Sequence, residues 1–258
     1  MKHLKFSLLF LFCVLITVPA AAKGKTKVIA HRGYWKTEGS AQNSIRSLER
    51  ANEIKVYGSE FDVHLTADNV PVVFHDSKIQ GKHIQTTPYA ELKDLKLPNG
   101  ETLPTLEQYL DRAKELKKAK LIFELKSHAT PERDREAAKI AVDMVNSKKF
   151  RKRTEYIAFS LDAAKELHRL SPKKPVYYLN GDLSPKQLKE LGFAGLDYNY
   201  KVMQKHPEWF KEAKDLNLKI NVWTVDDPEV MKEMIESGVD FLTTDYPEEA
   251  QKAVLLYR

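Results

Sequence analysis

Eight short apolar runs recur along this chain, and a helical pattern follows each of them. The runs are about Lys27–His31, Ser59–Thr66, Lys120–Lys126, Tyr156–Ser160, Val176–Leu179, Ala194–Tyr198, Leu218–Val225 and Val239–Thr244. The intervening segments carry apolar residues at helical spacing, such as Ile45, Leu48 and Ala51, or Leu106, Tyr109, Leu110 and Ala113. Some of the later helices open on a proline, as at Pro131 and Pro185, where the missing N–H costs nothing. Repeated βα units imply a parallel sheet with its helices outside. Eight of them, in a chain close to the roughly 250 residues typical of the architecture, predict an α/β fold of the TIM type, a (β/α)8 barrel. The rival is an open doubly wound sheet, but neither Gly-x-Gly-x-x-Gly nor a P-loop follows the first run.

One run departs from the alternation. Pro71–His75 follows its neighbour after only the turn Ala67-Asp68-Asn69. The stretch after it, about residues 76–100, holds Gly81, Pro88 and Pro98 and reads as an irregular insertion near the barrel mouth. It is too short for a second domain, so residues 23–258 are expected to form one.

Residues 1–22 stand apart. A short basic start with Lys2 and Lys5 precedes the apolar run Phe6–Val18, and Ala20-Ala21-Ala22 supplies small residues for cleavage. This reads as a secretory signal peptide, with export to a periplasmic or extracellular location and no stable membrane span after cleavage. The only cysteine, Cys13, lies in that leader. The mature chain then has no disulfide, thiolate metal site or cysteine nucleophile, and any metal must be held by oxygen or imidazole. The formal net charge is +6, two of it from the leader lysines. A mildly basic chain attracts anions. Its lysines are scattered through amphipathic helices rather than clustered with aromatics, so no nucleic-acid partner is expected.

In a barrel, chemistry collects at the C-terminal ends of the strands. The first run delivers His31 and Arg32 there, the second Glu60, Asp62 and His64, and the extra run His75 and Asp76. The third run delivers Glu124 and Lys126, the seventh Asn221 and Trp223, the last Thr244 and Asp245. Alternation with period two puts Glu60, Asp62 and His64 on one face. Carboxylates converging in apolar strands repel unless a cation joins them, and three of them suit a hard divalent ion, Ca²⁺ or Mg²⁺ with Mn²⁺ as a further option. Arg32 and Lys126 are candidates for binding a phosphoryl group, Arg32 as a fork and Lys126 as a point charge. The two histidines, His31 and His75, supply a proton acceptor and a proton donor. Trp223 is a candidate for stacking on the organic part of a substrate. His64 is expected at the rim, and His83, His128, His168 and His206 in solvent.

Taken together, His31-Arg32-Gly33, Asn43, Glu60-x-Asp62, Thr66-x-Asp68, Val72-Val73-Phe74-His75-Asp76, Glu124-x-Lys126, Trp223-Thr224 and Thr244-Asp245 resemble the glycerophosphodiester phosphodiesterase family. The resemblance runs from the first strand to the last. It implies a TIM-type barrel and hydrolysis of a small-molecule glycerophosphodiester to an alcohol and glycerol 3-phosphate, with one divalent metal ion. By matched position it implies Glu60, Asp62 and Glu124 as metal ligands and His31 and His75 as the acid/base pair. It likewise implies Arg32 and Lys126 on the phosphate; Asn43 and Trp223 are further candidates for substrate binding. One departure stands out. The family usually reads Pro-Glu-Asn-Thr after His-Arg-Gly, whereas this chain reads Ala41-Gln42-Asn43-Ser44. Gln42 removes a negative charge and keeps hydrogen-bonding capacity.

Two other readings share the same residues. A phospholipase D-like or phosphoinositide-cleaving enzyme would need an apolar rim for lipid. A catalytically silent phosphate-ester binding protein would have no use for two histidines.

Overall fold

The structure is a computed structural model, and it describes residues 26–257. The leader read in residues 1–22 lies outside the described residues.

The chain opens with β1 (Lys27–Ala30) and α1 (Ile45–Glu53), then β2 (Gly58–Leu65) and β3 (Pro71–Val73). A hairpin of β4 (Lys78–Ile79) and β5 (Lys82–His83) leads through two 3-10 turns, Ile84–Thr86 and Tyr89–Glu91, to α2 (Leu106–Glu115). From there strand and helix alternate: β6 (Lys120–Leu125), α3 (Pro131–Ser147), β7 (Thr154–Ala158), α4 (Leu161–Leu170), β8 (Val176–Tyr178), α5 (Pro185–Glu190) and β9 (Gly195–Asn199). Two helices, α6 (Tyr200–Lys205) and α7 (Glu208–Asp215), precede β10 (Lys219–Trp223). The chain ends with α8 (Pro228–Ser237), β11 (Phe241–Thr244) and α9 (Pro247–Leu256).

Eight of the strands run parallel in the circular order β1-β2-β6-β7-β8-β9-β10-β11, and β1 pairs with both β2 and β11, which closes the barrel. The predicted (β/α)8 barrel is therefore the observed fold, and the open-sheet alternative is not. The short α6, capped by Asn199, was not anticipated; six residues carry too little periodicity to stand out from a connection.

Burial on both faces explains why these strands read as continuous apolar runs. All eight residues of β2 are buried. Phe61, Val63 and Leu65 point outward into the large core between sheet and helices, which also takes Leu106, Tyr109 and Leu110 of α2. The inward positions split into two sets. Ile29, Ile122, Ile157, Tyr177 and Phe241 fill the barrel interior, and acidic residues occupy the positions nearer the mouth.

The extra run, β3, pairs antiparallel with the outer half of β2 and so extends the sheet beyond the barrel. The insertion after it is more regular than the sequence suggested. It has its own small core of Ile79, Ile84, Leu92, Leu97 and Leu103. That core is what holds this segment over one side of the mouth.

Candidate active site

The turn after β1 builds the first part of the site. Arg32 and Gly33 both take left-handed backbone conformations, with φ of +54° and +75°. Gly33 is required here, because a Cβ would sit 2.6 Å from Ser47 Cβ and 2.7 Å from its carbonyl carbon. The turn lets the Arg32 amide donate to Glu60 Oε2 at 2.6 Å, while Arg32 Nη1 donates to Gln42 Oε1 at 2.7 Å. Arg32 Nε lies 3.8 Å from Asp62 Oδ2 and is buried without a hydrogen-bond partner.

Asn43, also left-handed at φ +59°, faces the second carboxylate. Its Nδ2 donates to Asp62 Oδ2 at 2.8 Å, and its Oδ1 accepts from the Asp62 amide at 3.0 Å. Asn43 thereby orients the Asp62 carboxylate.

Glu60, Asp62 and Glu124 are buried, and their ligand atoms lie within 4.8 Å of one another. β2 and β6 are in register there, with Asp62 opposite Glu124. Burial, then the neighbouring Asp62 and Glu124, push the Glu60 carboxyl well above its usual range. Burial and Asp62 push Glu124 up to about 7. Asp62 goes the other way: burial raises it, but Lys126, His75, Asn43 and Arg32 outweigh that and hold it low. Lys126 Nζ lies 3.2 Å from Asp62 and 2.7 Å from Glu124. Glu60 Oε1 is buried with no hydrogen-bond partner. An orphaned carboxylate oxygen among three mutually repelling oxygen donors fits a hard divalent cation.

The histidines flank this cluster, each tied to a carboxylate. His31 Nδ1 pairs with Asp245 Oδ1 at 2.8 Å, and His75 Nδ1 with Asp76 Oδ1 at 2.6 Å. Each pairing fixes the ring and leaves Nε2 for the cavity that both rings line. Burial pushes the Asp245 carboxyl up, but His31, Trp35 and Lys36 more than compensate and keep it low. Burial lowers His75, against the opposing pull of Asp62.

The cavity measures about 90 Å³ and is bounded by His31, Arg32, Glu60, His75 and Glu124 on one side. Phe159, Leu179, Asp197 and Trp223 line the rest. Trp223 meets Phe159 edge-on and donates from Nε1 to the Asp197 carbonyl at 2.8 Å. A larger groove of about 470 Å³ adjoins it, sharing His75 and Phe159 and bordered by Lys126, Ser77, His83 and Gln85.

His64 lines that groove but is nearly buried in its wall; its Nε2 donates to the His75 carbonyl at 3.1 Å, and Gln85 donates to its Nδ1 at 3.0 Å. Burial pushes it down to about 4. The His128 ring is fully enclosed rather than solvated: Nε2 accepts from the Leu65 amide at 3.1 Å and Nδ1 faces Asp134. The sequence placed Asp76 and Asp245 at strand ends but gave them no role. It passed over Asp197 altogether, although a charged residue inside the apolar β9 is the same signal that marks Glu60.

Residues 31–249 match the family model for the glycerophosphoryl diester phosphodiesterase family. The chain belongs to that family. Membership makes it a phosphoric diester hydrolase and removes the binding-only reading. A crystal structure of a glycerophosphodiester phosphodiesterase from Parabacteroides distasonis is 69% identical, with a TM-score of 0.90 over 91% of this chain and 98% of that one. A glycerophosphodiester phosphodiesterase of Caldanaerobacter subterraneus subsp. tengcongensis is 28% identical over 243 residues, 87% of this chain and 96% of that protein. An Oleispira antarctica phosphodiesterase, solved in complex with the product sn-glycerol-3-phosphate, is 25% identical with a TM-score of 0.72, over 88% of this chain and 96% of that one. In this phosphodiesterase family member, Gln42 occupies the place of the usual glutamate and is bonded directly to Arg32. Among its described residues no helix is long and apolar enough to cross a membrane.

Proposed function

We infer that the chain is an exported, divalent-metal-dependent phosphodiesterase that hydrolyses glycerophosphodiesters to an alcohol and glycerol 3-phosphate, with His31 and His75 as its acid/base pair. The observation that carries this reading is the placement of two carboxylate-anchored histidines around Arg32 and a buried acidic triad. The product complex of the Oleispira antarctica relative supports the substrate class.

Arg32, whose Nε faces Asp62 without a hydrogen bond, presents its guanidinium to a phosphoryl oxygen. Lys126 holds Asp62 and Glu124 and contributes positive charge behind the same group. Glu60, Asp62 and Glu124 would hold the metal, Ca²⁺ or Mg²⁺ from the all-oxygen donor set, with Mn²⁺ also compatible. When bound, it supplies Lewis-acid neutralisation of charge at the phosphoryl group. One histidine takes the proton from the attacking oxygen and the other gives one to the departing alcohol oxygen as its bond to phosphorus breaks. Asp245 and Asp76 keep the rings in the orientation and tautomer this requires. Phe159 and Trp223 shelter the reacting group from water.

The test uses purified mature protein stripped with chelator and offered a panel of glycerophosphodiesters with Ca²⁺, Mg²⁺ or Mn²⁺ restored singly. The expected result is turnover only with metal, and its loss in His31→Ala and His75→Ala. Full rates in chelator overturn the metal dependence, and near-normal rates in both histidine variants overturn the acid/base assignment. Turnover of diacyl lipids in preference to deacylated diesters favours the lipid-cleaving alternative.

A further inference from the structure

Asp197 is the one carboxyl of the cavity wall that the chemistry above does not use. It sits on β9, four strands round the barrel from β2, so it faces the acidic triad across the interior. The residue is 2% exposed, and its Oδ1 is buried without a hydrogen-bond partner. Asn221, its register partner on β10, supports the carboxyl from one side, and the Asn221 Nδ2 donates to Thr243 Oγ1 on β11 at 2.9 Å. The three side chains form a polar ledge across adjacent strands.

A buried carboxyl oxygen with no donor is costly, and barrels rarely retain one idly. Burial pushes this carboxyl up to about 7, as expected when hydration is removed and not fully replaced. The neighbouring wall is mostly apolar, with Ile157, Phe159, Leu179 and Trp223, and Thr224 and Thr243 add the only hydroxyls among its lining residues. Apolar surfaces for carbon atoms beside one strong acceptor suit a short hydroxylated chain.

We propose that Asp197 recognises the glycerol arm of the substrate, its Oδ1 accepting a hydrogen bond from a free hydroxyl. The proposal rests on the phosphodiesterase reading of the same site. Geometry decides which half of the diester lies there. The cavity that runs from Arg32 and the two histidines to Asp197 measures about 90 Å³ in all, so with the phosphoryl group held by Arg32 it accepts only a small arm. The adjoining groove of about 470 Å³ shares His75 and Phe159 and lies under the insertion, where a head group of variable size has room. The glycerol arm therefore points inward toward Asp197, and the leaving alcohol points outward past His75.

Calorimetric titration of the metal-loaded protein with sn-glycerol 3-phosphate and with propyl phosphate, which lacks the hydroxyls, tests this. Wild type is expected to bind glycerol 3-phosphate at least tenfold more tightly, because a site built to pair a hydroxyl rejects the analogue without it. In Asp197→Ala that preference should fall about tenfold while affinity for propyl phosphate is retained, and Asp197→Asn should keep part of it. An unchanged preference in both variants overturns the proposal, as does equal loss for both ligands, which marks Asp197 as a strut. The wild-type comparison needs no folded variant: binding without discrimination overturns the proposal alone. Binding of neither phosphate overturns the reading of the site beneath it.

Discussion

His31 and Asp245 lie 214 residues apart in sequence, yet their side chains meet at 2.8 Å across the seam that closes the barrel. The His31 amide also donates to the Thr244 carbonyl at 3.0 Å, so the first and last strands carry the pair on a shared hydrogen-bonded edge. Asp245 Oδ1 further accepts from Trp35 Nε1 at 3.0 Å, which fixes the carboxylate itself. Asp245→Asn should leave the fold and the KM near their wild-type values and lower kcat by about 10²–10⁴-fold, since the amide favours the wrong imidazole tautomer. Steady-state kinetics beside a thermal melt decide it; a kcat within a few-fold of wild type would remove Asp245 from the machinery.

The acidic triad predicts a specific linkage between metal and pH. Glu60 and Glu124 are raised, so without a cation their ionisation works against the fold at neutral pH. For raised carboxyls the penalty is present above the folded pKa and disappears as pH falls toward the unfolded value. Saturating Ca²⁺ or Mg²⁺ at about 100 times Kd should add roughly 2.7 kcal/mol. For a chain of this size that is a melting shift of roughly 5–10 °C. At one fixed metal concentration the shift should be larger at pH 8 than at pH 6, where protons compete for Glu124. A melting temperature indifferent to metal at both values would show that the triad binds none.

How much of this was readable beforehand depends on where each side chain lies relative to the strands. The barrel was legible because strands covered on both faces must be apolar throughout, and Glu60, Asp62 and Glu124 were legible because charges inside such strands need a reason. The bond from Asn43 to Asp62 was not legible, because it depends on a left-handed turn that aims the side chain at a residue 19 positions away. His64 shares a face with the triad, as alternation said, but alternation cannot say that Gln85 from the insertion covers it. His128 sits in a loop, where solvent is the default; only the tertiary fold closes Asp134 and Leu65 around it.

Gln42 offers a charge test of the phosphate site. Its Oε1 accepts from Arg32 at 2.7 Å without adding a negative charge, which leaves the guanidinium more strongly positive toward substrate than a carboxylate partner would. Gln42→Glu should raise KM about 3–10-fold at low ionic strength, with kcat within about twofold, and the difference should shrink in high salt. A KM that does not move, or moves equally at all salt concentrations, would rule out an electrostatic role.

His64 predicts the acid limb of stability. The folded ring stays neutral down to about pH 4, chiefly through burial, while the unfolded chain takes up a proton near 6.5. For a base lowered in this way, the contribution is complete above about 6.5 and is lost as pH falls from there toward 4. Between pH 7.5 and pH 5 the group should therefore cost the fold about 2 kcal/mol. His64→Gln retains a donor for the His75 carbonyl and removes the titration. Urea unfolding of both proteins in chelator isolates the effect, because Glu60, Glu124 and His75 are present in each and largely cancel in the difference. Wild type should lose about 2 kcal/mol more than the variant across that interval. Parallel losses would mean that the ring is protonated as readily inside the barrel as outside it, and that the contact with the His75 carbonyl does not depend on a neutral imidazole.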